Sequence, residues 1–119
     1  MFVLLTALAL MAARGHRLHA SSVQATSSEN AAATVVTVEI REFKFQPGTL
    51  TVHAGDNLEW KNEDIVPHTA TADDGSQTPI FDSGNIQVGA AWRYVAQQKG
   101  TYNYVCTLHP NMHGKLIVE

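Results

Sequence analysis

The chain has 119 residues, 45% of them hydrophobic, with eight basic and eleven acidic residues and a net charge of −3. That length supports one domain with a modest core and no more. An acidic chain without basic clusters is a poor match to a nucleic-acid binder.

The opening MFVLLTALALMAA carries an uncharged apolar run from Phe2 to Ala13. A spanning helix wants about 20 such residues, so this run reads as the apolar core of a secretory signal over residues 1–20. "LHA" at Leu18–Ala20, or "VQA" at Val23–Ala25, offers the small residue before a cleavage point. No basic residue precedes Phe2, and Arg14 and Arg17 follow the run instead, so an uncleaved anchor is the competing reading. Residues 21–34, SSVQATSSENAAAT, are small and polar without periodicity and read as a flexible leader. The folded domain is expected over 35–119.

Removing residues 1–20 leaves six basic against eleven acidic residues, a net charge of −5. Met1 and Met11 go with them, so the remainder keeps one cysteine, Cys106, and one methionine, Met112. An exported chain with a single cysteine forms no internal disulfide, and a cysteine at that position is no lipid anchor. The thiol needs another role.

From Val35 the pattern has period two. Val36, Val38 and Ile40 alternate with polar residues, and Phe43 and Phe45 continue in a register shifted by one. Leu50 and Val52, Leu58 and Trp60, then Trp92, Tyr94 and Ala96 follow. Tyr102, Tyr104 and Cys106 come next, and Leu116 and Val118 end the series. Turn signals separate the runs at Gln46–Gly48, Ala54–Asp56, Asp73–Gly75, Ser83–Asn85 and Lys99–Gly100. Short alternating runs with frequent turns predict an all-β, antiparallel sandwich or barrel of about eight strands. No segment has a helical period.

Tyr102, Tyr104 and Cys106 share one strand face, so the thiol points inward where that strand ends. "CTLHPNMHGK", Cys106–Lys115, then places thiolate, imidazole and thioether within seven residues, at Cys106, His109 and Met112. These are the softer metal-binding side chains. A further ligand comes from elsewhere, and His68 in "NEDIVPHTAT" is the best candidate, with Pro67 stiffening its approach. One cysteine, two histidines and a weak axial methionine make a blue-copper electron-transfer set. Each residue also has a plain reading: Cys106 as a small buried hydrophobe, His109 as a loop residue, Met112 as a core filler. The joint spacing outweighs them. His53 reads as solvated, and His113 is a rival ligand unless Gly114 turns it outward.

At this point the chain resembles the cupredoxins, and within them the amicyanin group, over roughly residues 35–119. "WKNEDIVPH", Trp60–His68, is similar to that group's segment from tryptophan through asparagine to Pro-His. The two residues between His109 and Met112 match its short ligand loop, whereas plastocyanins and pseudoazurins usually have four. The resemblance implies a Greek-key β-sandwich and a single copper ion, Cu(I)/Cu(II), held by His68, Cys106, His109 and Met112. It also implies that Asn62 ties the two ligand loops together through Thr107. Leu108, Asn111 and His113 depart from the group, which has proline, phenylalanine and a basic residue there. Asn111 puts the group's methylamine dehydrogenase partner in doubt. Leucine restores an N–H that proline lacks, so Leu108 N–H is expected to join Thr69 N–H in pointing at the Cys106 sulfur.

The function expected is one-electron transfer between periplasmic redox partners, a dehydrogenase or a c-type cytochrome, by a monomer that is not an enzyme. His109 is the expected port, ringed by an apolar docking patch of Val66, Pro67, Leu108 and Pro110. A copper enzyme would need a second site fed by more histidines, and zinc suits a methionine ligand less well than copper does. Copper delivery through the same site, without a redox relay, is the alternative function.

Overall fold

The computed structural model describes residues 34–119. The expected signal segment and all but the last residue of the expected leader lie outside them. Eight strands follow: β1 (Val35–Arg41), β2 (Lys44–Gln46), β3 (Thr49–Val52), β4 (Asn57–Asn62), β5 (Thr71–Ala72), β6 (Ala91–Val95), β7 (Gly100–Cys106) and β8 (His109–Val118). They form two four-stranded sheets, ordered β2-β1-β4-β6 and β3-β8-β7-β5. This is the all-β sandwich that the alternation predicts. Val38, Ile40, Leu58, Trp60, Tyr104 and Leu116 fill the space between the sheets, each at most 1% exposed.

Strand direction departs from the expectation. β1 runs parallel to β4, pairing Val36 with Leu58 and Val38 with Trp60. β3 runs parallel to β8, pairing Leu50 with Leu116. The other ladders are antiparallel. The chain passes from one sheet to the other between β2 and β3 and again at each step to β7, and such crossings set parallel neighbours side by side. Alternation reports which face is buried and carries no record of a neighbour's direction.

Two local features bear on the site. The shift in register between Ile40 and Phe43 is a two-residue turn, Glu42–Phe43, between the paired Arg41 and Lys44. Both turn residues have positive φ, 49° and 58°. That conformation twists with the strands of a tight hairpin but normally falls to Asn and Gly. It costs other residues about 1–2 kcal/mol each. Phe45 is buried as the alternation requires, while Phe43 is 44% exposed. The second feature is Gly114, directly under the Tyr104 ring, where a Cβ would come within 2.1 Å of a ring carbon. Only glycine lets β8 pass that close to the buried Tyr104 ring, two residues before the cysteine on the same strand.

Candidate metal centre

The site is built where β4, β7 and β8 meet the loops that join them. Cys106 closes β7 and is fully buried. It pairs with His109, so Thr107 and Leu108 form the turn into β8. The ladder then shifts: Val105 pairs with His113, leaving Pro110, Asn111 and Met112 as an unpaired bulge. A bulge re-aims side chains, and here Met112 is buried while Pro110 and Asn111 stay exposed. His113 is exposed on the resumed strand, between inward-facing Met112 and Gly114.

His68 arrives from the opposite sheet. Its loop leaves β4 at Asn62, whose side-chain amide donates to the carbonyls of Val66 (2.9 Å) and Ile86 (2.9 Å). Asn62 Oδ1 accepts from Asp64 N–H at 3.0 Å. His68 then forms a bridge to Ile86, donating to its carbonyl (3.2 Å) and accepting from its N–H (2.7 Å). The result is a fully buried imidazole with Nδ1 3.6 Å from Cys106 Sγ. Its other nitrogen, Nε2, is 2.8 Å from Asp64 Oδ2.

A carboxylate can only accept, so Nε2 carries the proton and the Nδ1 lone pair faces the sulfur. Burial raises the Asp64 pKa, but N–H donation from Phe43 and Ile65 and the bond to His68 outweigh it. The carboxyl is held below its usual range and stays ionised.

Thr69, next in the chain, serves both loops. Its N–H donates to Cys106 Sγ at 3.3 Å. Its hydroxyl oxygen accepts from Thr107 N–H at 2.8 Å and lies 3.1 Å from the Thr107 hydroxyl. Two expectations are corrected here. The tie to Thr107 comes from Thr69, because Asn62 spends its amide on Val66 and Ile86. Leu108 N–H makes no hydrogen bond to the sulfur: among the described residues Thr69 is the only backbone donor to it. Leu108 sits in the turn, 46% exposed.

His109 is half-buried, its ring centroid 4.9 Å from that of His68. Phe43, Leu108, His109, Pro110, Asn111 and Met112 line an open cleft at this end of the sandwich. Of the expected docking residues, Leu108 and Pro110 are exposed and Val66 and Pro67 half-buried. Three residues escaped the sequence reading. Ile65 is 82% exposed beside Val66, and an apolar residue after "NED" was its visible signal. Phe43 stands over the site from the β1–β2 turn, and Asp64 holds His68; neither has a signal in the spacing.

Among the described residues no three His, Cys, Asp or Glu side chains converge closely enough to hold a metal by themselves. His68 and Cys106 do converge, and a full donor set needs His109 and the thioether of Met112. Thiolate and imidazole suit zinc as well as copper, but the buried thioether suits a soft one-electron metal better than zinc. The donor set fits copper.

Comparison with known proteins identifies the family. A family model for the cupredoxin-like domain matches residues 2–118. Amicyanin-alpha from Methylorubrum extorquens is 31% identical over 103 residues, covering 86% of this chain and 85% of its own. The solved structure of an oxidized amicyanin mutant superposes with a TM-score of 0.65 at 29% identity, over 71% of this chain and 81% of that one. A copper-containing nitrite reductase from Thermus scotoductus gives a TM-score of 0.65 at 28% identity over 72% of this chain. This chain spans only 22% of that reductase. The protein is a member of the cupredoxin-like domain family.

Proposed function

We propose that this protein is a single-electron carrier whose cofactor is one copper ion, held by His68, Cys106, His109 and Met112. The observation that carries the reading is the buried pair of Cys106 Sγ and His68 Nδ1, 3.6 Å apart, with the other imidazole nitrogen already committed to Asp64. When bound, copper supplies a Cu(II)/Cu(I) couple that stores one electron without taking up or releasing an atom.

The chain's own part is to fix the donors. Asp64 sets the His68 tautomer, Thr69 N–H draws electron density from the sulfur, and the Thr69–Thr107 bonds hold the two donor loops at one separation. Little has to move when the charge changes, which is what a carrier needs. His109, the half-buried donor beside the open cleft, is the port. Leu108, Pro110, Val66 and Pro67 form the docking patch around it, extended by Phe43 and Ile65. A patch of this kind suits brief contact with a redox protein such as a dehydrogenase or a c-type cytochrome.

We read the protein as exported and as a carrier in place of an enzyme. Beyond the expected signal it has four histidines, and two of them are outside the proposed donor set: His53 on a strand end beside Asp56, and His113 exposed on β8. Among the described residues no helix is long and apolar enough to cross a membrane.

The test is the visible and electron-paramagnetic-resonance spectrum of the copper-loaded protein. An intense thiolate-to-Cu(II) band, lost in Cys106→Ala and kept in His113→Ala, is the expected result. A protein that binds only Cu(I) and stays colourless in air would instead be a copper-delivery protein.

A further inference from the structure

The hairpin between β1 and β2 puts a phenylalanine where the backbone favours glycine or asparagine. Phe43 has φ of 58° and leaves 44% of its surface exposed. Core burial does not explain it, since the next inward residue, Phe45, does that work at 4% exposure. Its contacts supply another reason. Phe43 N–H donates to Asp64 Oδ2 at 2.9 Å, the same oxygen that accepts Nε2–H of His68 at 2.8 Å. The ring stands edge-on to His68, with centroids 5.4 Å apart and planes at 82°. It stands edge-on to His109 as well, at 5.0 Å and 90°. A strained backbone persists only where its surroundings over-determine it, and such strain gathers at functional sites.

We propose that Phe43 is an access cover for the metal centre, seated by Asp64 as a positioning residue. One carboxylate oxygen fixes both the His68 ring and the turn that lowers the Phe43 ring over the two histidines. The cover keeps water and small anions away from the side of the centre that opens to the cleft. Three donors converge on Asp64. Oδ2 takes two donors, and Oδ1 accepts Ile65 N–H at 2.9 Å. An asparagine there would set its own N–H₂ against one of those donors.

This inference rests on the metal-centre reading, and the experiment separates the two. Phe43→Gly removes the ring while glycine keeps the turn without strain, and Phe43→Tyr keeps a ring. The first measurement uses metal-free protein and a water-soluble disulfide reagent: the Cys106 thiolate attacks one reagent sulfur, forms a mixed disulfide and releases the other sulfur as a thiolate. Phe43→Gly should raise the rate about tenfold by opening the path to a thiol that is fully buried in the native protein, and Phe43→Tyr should not. Leu108→Ala, which trims another exposed apolar residue of the same cleft, should leave the rate near the native value.

The second measurement titrates azide into the Cu(II)-loaded proteins and follows absorption and paramagnetic resonance. Azide should alter the spectrum of Phe43→Gly at concentrations that leave the native protein and Phe43→Tyr unchanged. Asp64→Ala, which removes the acceptor of the Phe43 N–H, should behave like Phe43→Gly in both measurements, because the ring loses its seat. Equal thiol rates and equal azide responses in native protein and Phe43→Gly would overturn the cover. So would a Leu108→Ala rate as high as that of Phe43→Gly, since the effect would then be general loosening of the cleft. Failure of native protein to bind copper would overturn the metal-centre reading, while the thiol rates would still decide the cover.

Discussion

Two loops of this protein are braced by an aspartate in the same way, and they do different things. In the first, Asp64 in the loop after β4 accepts N–H groups from its neighbour Ile65 and from Phe43 in the β1–β2 turn. In the second, Asp74 accepts N–H groups from Ser76 and Ile80 in the loop after β5. Both carboxyls are held below their usual pKa range. For Asp64 the donors overcome a large opposing effect of burial, whereas for Asp74 the donors themselves dominate. The first loop is also stapled to a second one through Thr69 and Thr107, and it ends on a buried imidazole. The Asp74 brace in the loop after β5 aims no ring, and its hydrogen bonds are exposed to solvent. A carboxylate brace by itself only shapes a loop; it acquires chemistry where one of its oxygens has a ring to aim.

The comparison breaks most sharply on removing each brace. Asp64→Ala strands the Nε2–H of buried His68 and two loop N–H groups, and should cost ~3 kcal/mol in urea unfolding. Asp74→Ala exposes its donors to water and should leave the midpoint almost unmoved. Equal losses would mean that the two braces are energetically alike.

Removing only the staple is the next test. Thr69→Val keeps the shape but takes away the acceptor for Thr107 N–H, and should lower stability by about 1 kcal/mol. Hydrogen exchange should quicken at Thr107 and stay unchanged at Ser76 and Ile80.

Acid should reveal the second loop on its own. Asp74 has a folded-state pKa below its ordinary value of 3.8. Its contribution is therefore present above that value and is lost as pH falls through the lower, folded-state pKa. The amide resonances of Ser76 and Ile80 should shift together in that window. If they titrate at or above 3.8, the brace is not the cause of the depression.

The smallest effect expected is on the reduction potential of Leu108→Pro. The sulfur takes its backbone N–H from Thr69, so removing the Leu108 N–H should leave the potential where it was. The exposed side chain lies in the proposed docking patch, so electron-transfer rates with a protein partner should change instead. Voltammetry and partner kinetics on this one variant check both halves.

Much of the domain was legible in the chain because its burial alternates. Val38 and Ile40, Leu58 and Trp60, and Tyr104 and Cys106 mark inward faces that the sandwich uses as written. The proposed donor set could be read from the sequence because three of its members lie in one short segment. The direction of β4 beside β1 was not, since Val36 pairs with Leu58 as readily in a parallel ladder as in an antiparallel one. The turn at Glu42–Phe43 was hidden because neither residue is a turn former, and the alternation marked the place only by a one-residue shift. Asp64 was hidden for a different reason. "NEDIV" offers two acids in a row, and only the fold decides that Glu63 faces Arg41 and Lys61 while Asp64 turns inward to His68.

The bulge at Pro110–Met112 is bracketed by two pairs, Cys106 with His109 and Val105 with His113, after which β8 keeps its register down to Val118. Insertions or deletions between His109 and His113 are therefore absorbed before they reach the sheet. That makes the segment an exchangeable cassette, one that can be lengthened, shortened or grafted from another family member while Gly114 stays under Tyr104. Changes of the same size one residue further along would displace every inward side chain of the last strand. Evolution, and any redesign of the centre, can retune the donors cheaply only within those three residues.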